Sequence, residues 1–286
     1  MRLTLKILIL VTACIAALGA CGGNGQSSNT AEQNKRLTSS QKTSASSYNQ
    51  VVEQLYVAYF GRPADPNGLT NFSAQLLADG APTDIQSLLQ TYNSNGAVKA
   101  LIDSFGTSTE SKNLYGTANP TSFVTAVFNN VLGRAPQTAG LNFWVNALNN
   151  GSVTYGNVAL QIMAGALVNN TTQGQQDAAL IADHITVATE FTATVTAQNA
   201  TADYAGATAA QTARSMLTGI TTSTSSSTYQ STVNATVATI ISEAPPVNNV
   251  AAIAVDTGAD PANITSVDVP YVSVTICAPG NPSLCQ

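Results

Sequence analysis

Shifting this chain by 72 residues lays one stretch of it over another, taking Gly61 to Gly133. The same shift takes Arg62 to Arg134, Gly68 to Gly140, Leu69 to Leu141 and Phe72 to Trp144. The first copy reads Leu55-Tyr56-Val57-Ala58-Tyr59-Phe60-Gly61-Arg62-Pro63-Ala64-Asp65-Pro66-Asn67-Gly68-Leu69, and the second runs from Val127 to Leu141. A segment that occurs twice is one supersecondary unit used twice, each copy burying an apolar face against the other.

The unit is legible from local rules. Val51, Val52, Leu55, Tyr56 and Tyr59 recur at helical spacing, as do Val124, Val127, Phe128 and Val131. Gly61 and Gly133 stand where each helix stops, because glycine takes the left-handed cap without steric cost. Pro63 and Pro136 prevent continuation. Asp65 then caps a second helix with Pro66 in its first turn. Leu69, Phe72 and Leu76 face inward, matched by Leu141, Trp144, Val145 and Leu148, and Gly80 and Gly151 end these helices. Each unit is a helix, a corner and a helix. Arg62 and Arg134 either contact a carboxylate or sugar ligand, or cap carbonyls and pair with a nearby acid; their recurrence inside a structural corner favours the second reading. Trp144 takes an inward position, as core and not as a binding platform.

The corner Leu132-Gly133-Arg134-Ala135-Pro136, followed by Gly140-Leu141-Asn142-Phe143-Trp144 and preceded by Glu110, Leu114-Tyr115-Gly116 and Phe123-Val124, resembles the DUF4214 domain. The resemblance covers about residues 48–190. It implies an exported bacterial protein of the surface-layer or adhesin-like kind and no enzymatic activity. Gln137 stands where copy one has Asp65, so no shared charge or metal role at that position carries over. Helices continue from Ala178 to about Ala197, from Ala205 to Leu217 and from Thr228 to Ser242. The only histidine, His184, has no neighbouring cluster of ligands and reads as structural.

The N-terminus carries a different instruction. Arg2 and Lys6 precede the run Ile7 to Leu18, apolar except for Thr12, and then come Gly19 and Ala20. This is the order of an export signal and is too short to span a bilayer. Leu18-Gly19-Ala20-Cys21 resembles a bacterial lipobox, which implies lipid transfer to Cys21 and cleavage before it; the alternative is an ordinary secretory signal. Gly22 at the following position points, by analogy with known lipoproteins, to the outer membrane. From Gly22 to Ser47 the chain has almost no apolar residues and reads as a tether with a mean reach of ~25–30 Å.

The C-terminal tail changes pattern again. Val250 to Val255 and Val267 to Ile276 are β-rich, and Cys277 and Cys285 read as a disulfide in an exported chain. Val269 to Gly280 resembles the opening of the DUF3443 family. Ala254-Val255-Asp256-Thr257-Gly258-Ala259 reads like an aspartic-protease loop, but that chemistry needs two aspartates, so a dimer would have to supply the second Asp256.

The expected organisation is thus a signal (1–20), a lipidated cysteine and linker (21–47), a mainly α domain (48–243) with repeats at about 51–105 and 123–190, and a β-hairpin-like tail (244–286). Only 9 % of the residues are charged, with ten Lys and Arg in all, which excludes the clustered cations that nucleic acid requires. No cofactor motif and no metal-ligating set is read. The expected function is a non-catalytic envelope interaction module with membrane, envelope-protein or surface-glycan partners. The alternatives are an Asp256 hydrolase and a passive spacer.

Overall fold

The computed structural model describes residues 43–116 and 119–244. The export signal, Cys21, Asp256, the β-rich tail and the pair Cys277 and Cys285 lie outside the described residues. Among those described the fold is all helix, with eleven α-helices and two short 3-10 turns. The helices are α1 (Asn49–Phe60), α2 (Pro66–Ala78), α3 (Ile85–Thr91), α4 (Gly96–Thr107), α5 (Thr109–Tyr115) and α6 (Pro120–Leu132). They continue with α7 (Thr138–Asn149), α8 (Val158–Leu167), α9 (Thr172–Ala197), α10 (Gly206–Thr218) and α11 (Tyr229–Glu243).

The two expected helix–corner–helix units are α1–α2 and α6–α7. Gly61 and Gly133 both close their helices in the left-handed conformation, at φ 65° and φ 59°. Asp65 caps α2, accepting the Gly68 N–H at 2.7 Å, whereas Gln137 makes no such bond to α7. The copies diverge after their second helix. Copy one continues into the short α3 and then α4; copy two continues into α8 and then into the long α9, which at 26 residues extends about 39 Å. Thr171 caps α9, so this helix starts six residues before the expected Ala178. Residues Ala45–Tyr48 already form a helical turn, and the Tyr48 hydroxyl donates to the Ala81 carbonyl at 2.7 Å, so the folded body starts slightly before the expected boundary.

α1 is the axis of the body. Every residue from Val51 to Phe60 is buried, as in a helix surrounded by others. α2, α4, α5, α6, α8 and α9 all pack on it. Tyr56, Tyr59 and Phe60 meet Phe105 with ring centroids 5.6 to 5.7 Å apart, Tyr56 meets Phe72 at 6.0 Å, and Phe72 and Phe105 lie 4.6 Å from each other. Such edge and offset contacts add to the burial energy of the rings. α7 is more peripheral: Leu141, Trp144, Val145 and Leu148 are half-buried against the core, and Phe143 is 62 % exposed. Trp144 therefore lies at the rim of the core and not in its interior.

Much of the helix surface is hydroxyl-bearing. Thr186, Thr189 and Thr196 of α9, and Thr232, Thr236 and Thr239 of α11, donate to the carbonyl one turn back at 2.8 to 3.0 Å. No helix of the described residues is long and apolar enough to cross a membrane.

The repeat also explains a glycine. A Cβ at Gly68 would lie 2.0 Å from the Tyr56 hydroxyl oxygen, while a Cβ at its counterpart Gly140 would meet nothing. Tyr56 brings both its hydroxyl and its ring against Gly68, whereas no atom of its counterpart Phe128 comes within 4 Å of the same position at Gly140. Gly68→Ala is expected to cost about 1–3 kcal/mol through overpacking, and Gly140→Ala to stabilise by up to ~1 kcal/mol through helix propensity. Urea unfolding of the two variants measures both; equal effects would refute this account.

Candidate functional site

Each corner aims its arginine at an acid far along the chain. At the first corner, Arg62 Nε and Nη2 donate to the two Glu110 oxygens, both at 2.7 Å. Nη1 donates to the Pro63 carbonyl at 3.0 Å and to the Tyr204 hydroxyl at 3.3 Å. The guanidinium carbon lies 5.1 Å from the Tyr56 ring centre and 5.6 Å from those of Phe60 and Tyr204. Arg214, from α10, adds a second cation to Glu110 at 3.1 Å. Burial alone would raise the Glu110 carboxyl, but Arg62 and Arg214 hold it below the usual range. The Arg62 side chain is only 11 % exposed. This is a closed clamp joining the corner to α5 and α10.

Behind the corner sits a buried acid. Glu53, in the middle of α1, is 1 % exposed. Its Oε2 accepts the Ala64 N–H at 2.9 Å and its Oε1 accepts the Thr192 hydroxyl at 2.6 Å. Burial pushes the carboxyl up to about 7, with the Ala64 and Thr192 hydrogen bonds and the charge of Arg62 opposing the rise. The site accommodates both protonation states. The Thr192 Oγ1 also lies 3.0 Å from the Ala64 carbonyl oxygen and 3.1 Å from that of Ala188. A protonated Glu53 can donate to Thr192, whose own hydrogen then turns to one of these carbonyls.

At the second corner, Arg134 Nε donates to Asp177 Oδ1 at 2.9 Å and Nη2 to Oδ2 at 2.7 Å. Gln173 Nε2 donates to the same Oδ1 at 2.9 Å. Burial would raise the Asp177 carboxyl, but Arg134 and Gln173 hold it below its ordinary value. Nη1 of Arg134 has no acceptor among the described residues, and the side chain is 31 % exposed. Beside it opens a cavity of about 450 Å³ whose lining includes Asn129, Leu132, Arg134, Gln176, Leu180 and Ile220. His184 braces its floor: Nδ1 lies 3.2 Å from the Asn130 carbonyl and Nε2 lies 3.1 Å from that of Ile220. Burial lowers the His184 pKa, although both carbonyls favour the protonated ring.

The structure thus brings Arg62 together with Glu110 and Arg134 together with Asp177, the second of the two structural alternatives, carbonyl capping or acid pairing, that the sequence offered for these arginines. It spreads the other repeated residues along the helices as caps and packing. Glu53 and Asp177 were not anticipated. The one sequence signal for Glu53 is an acid inside a segment that otherwise reads as core, Val51-Val52-Glu53-Gln54-Leu55, whereas Asp177 follows a polar stretch and carries no such signal. Among the described residues no group of three or more His, Cys, Asp and Glu side chains could hold a metal ion.

The folded Glu53 carboxyl binds its proton more tightly than the unfolded one. Its contribution to stability is therefore full below pH 4.5 and is lost as pH rises through about 7. That loss is on the order of 3 kcal/mol, and Glu53→Gln, which mimics the protonated form, is expected to flatten the decline between pH 5 and 8 by ~3 kcal/mol. Chemical unfolding across pH tests it; a variant with the same slope as the parent chain would refute it. Each clamp has one buried partner, Arg62 in the first and Asp177 in the second. Arg134→Met leaves the Asp177 carboxylate buried without its cation and Arg62→Met leaves Glu110 with Arg214 alone, so each is expected to cost about 3 kcal/mol, read from urea midpoints.

The family model described as "Domain of unknown function (DUF4214)" matches residues 102–166, from within α4 to the end of α8. The match includes the second corner and leaves the first outside it. No curated protein and no solved structure matches the chain. The stretch 102–166 is thus similar to the DUF4214 domain.

Proposed function

We propose that this chain is an exported lipoprotein of the bacterial cell envelope, anchored through Cys21, whose helical body is a non-catalytic interaction module. The observation that carries the reading is the N-terminal order: Arg2 and Lys6, the apolar run Ile7 to Leu18, and Leu18-Gly19-Ala20-Cys21 followed by a polar stretch. Two or three acyl chains at ~0.8 kcal/mol per buried methylene would hold such a protein firmly on a membrane. Two features of the helical body favour interaction over catalysis. Its three arginines are each engaged with an acid of the same chain. The buried acid Glu53 is saturated by its own corner and by Thr192. The lipid anchor and the polar stretch suit a role at a membrane surface, with an envelope protein or a surface glycan as partner and the outer membrane as its site.

Growth with a labelled fatty acid and fractionation of cells tests the anchor. The native chain is expected to carry label and sediment with membranes, and Cys21→Ala to lose both. An unlabelled native chain, or a Cys21→Ala chain that stays membrane-bound, would refute the anchor. Protease treatment of intact cells then assigns the face. Cleavage while a periplasmic control is spared supports a surface role, and protection supports a scaffold facing the periplasm.

A further inference from the structure

We propose that the cavity beside the second corner is a saccharide site, in which the free edge of the Arg134 guanidinium takes two neighbouring oxygens of one sugar residue. The proposal deepens the interaction reading and names the class of partner. It begins from the contrast between the two corners. At Arg62 all three guanidinium nitrogens donate to protein acceptors, so the cavity of about 510 Å³ beside it meets a group already satisfied by the chain. At Arg134 only Nε and Nη2 are used, both by Asp177. A guanidinium held side-on by a carboxylate keeps a second fork, formed by Nη1 and the outer Nη2 hydrogen. That fork suits a pair of adjacent oxygens, either a vicinal diol or a sugar carboxylate.

The surroundings select the ligand. Asp177, whose side chain is 4 % exposed, balances the charge of Arg134, so the cavity is close to neutral. No lysine lines it. A phosphate would find one cation, already paired; a hydroxylated sugar loses little by that neutrality. Leu132, Leu180 and Ile220 supply apolar surface for the C–H face of a sugar ring, and Asn129 and Gln176 offer amides that both donate and accept. The volume of about 450 Å³ falls within the range of small-molecule sites, roughly 300–1,000 Å³. The site is also preformed. Gln173 and Arg134 fix Asp177, the Phe128 ring centre lies 5.9 Å from the guanidinium carbon, and the buried His184 ring sits between the Asn130 and Ile220 carbonyls.

The test uses the full lipoprotein in detergent micelles and ligand-observed saturation-transfer NMR. The probes are methyl α-mannopyranoside for the diol, sodium glucuronate for the carboxylate, and inorganic phosphate, each at ~10 mM to reach millimolar affinities. Binding of either sugar, weakened about tenfold or more in Arg134→Met, is the expected result. Because Arg134→Met also loosens the corner, Thr222→Trp provides a second variant that fills the cavity mouth and leaves the Arg134–Asp177 pair intact; it too should lose binding while its thermal melt is unchanged. Mannoside alone identifies the diol, glucuronate alone the carboxylate, and both the shared oxygen pair. Binding of neither sugar, sugar binding unchanged in either variant, or phosphate bound in preference to both would overturn the proposal. None of these outcomes alters lipid labelling at Cys21, so failure of the site and failure of the anchor are read separately.

Discussion

The described body hangs on a left-handed corner followed by an arginine. A helix that ends on a glycine at φ 65° or 59° reverses the chain within a few residues. The arginine beside that glycine then stands at the end of its own helix and can reach elements that follow much later. Arg62 reaches Glu110, 48 residues on; Arg134 reaches Asp177, 43 residues on. Each clamp holds together two helical segments that local sequence keeps apart. The corner supplies the position and the ion pair supplies the long-range restraint. The buried Glu53 then secures the inner side of the first corner by accepting the Ala64 N–H.

The two corners began alike and have been finished differently. At the first, Tyr204 and Arg214 arrive from beyond the end of copy two and complete the hydrogen bonding of Arg62 and Glu110. A cavity lies beside each corner, but at the second Arg134 Nη1 keeps no acceptor among the described residues. The same divergence is visible in smaller features: a glycine that makes room for the Tyr56 hydroxyl at one corner faces empty space at the other, and a capping aspartate has become a glutamine that does not cap. One copy serves as the hub of the core, with α1 buried along most of its length. The other lies nearer the surface, and its second helix leaves Phe143 in solvent.

What could be read in advance follows the range of the interactions. The mainly helical character of the body, the corner glycines and the Asp65 cap rest on contacts within a few residues or on repetition, and the bare sequence displays both. The identity of the partner acids does not follow from spacing, since it depends on how α5 and α9 return to the corners. Glu53 was missed for a related reason: an acid on an amphipathic helix is normally placed on the wet face, and α1 has no wet face along its buried run. Trp144 was placed inward correctly but too deep, because periodicity gives the direction of a side chain and not the thickness of protein above it. The first turns of α9 were missed because Thr172 to Gln176 is a polar stretch, and helical only by virtue of its Thr171 cap and the Arg134–Asp177 contact.

The threonines that donate to their own helix have a consequence for the environment in which such a surface can work. Their hydroxyl hydrogens are occupied by carbonyls one turn back, so the surface is polar without being charged. Counter-ions have little to screen on such a surface, and the few ion pairs of the body sit mostly within or against it, where screening is weakest. The body should keep the same fold and the same neutral face from dilute medium to concentrated brine.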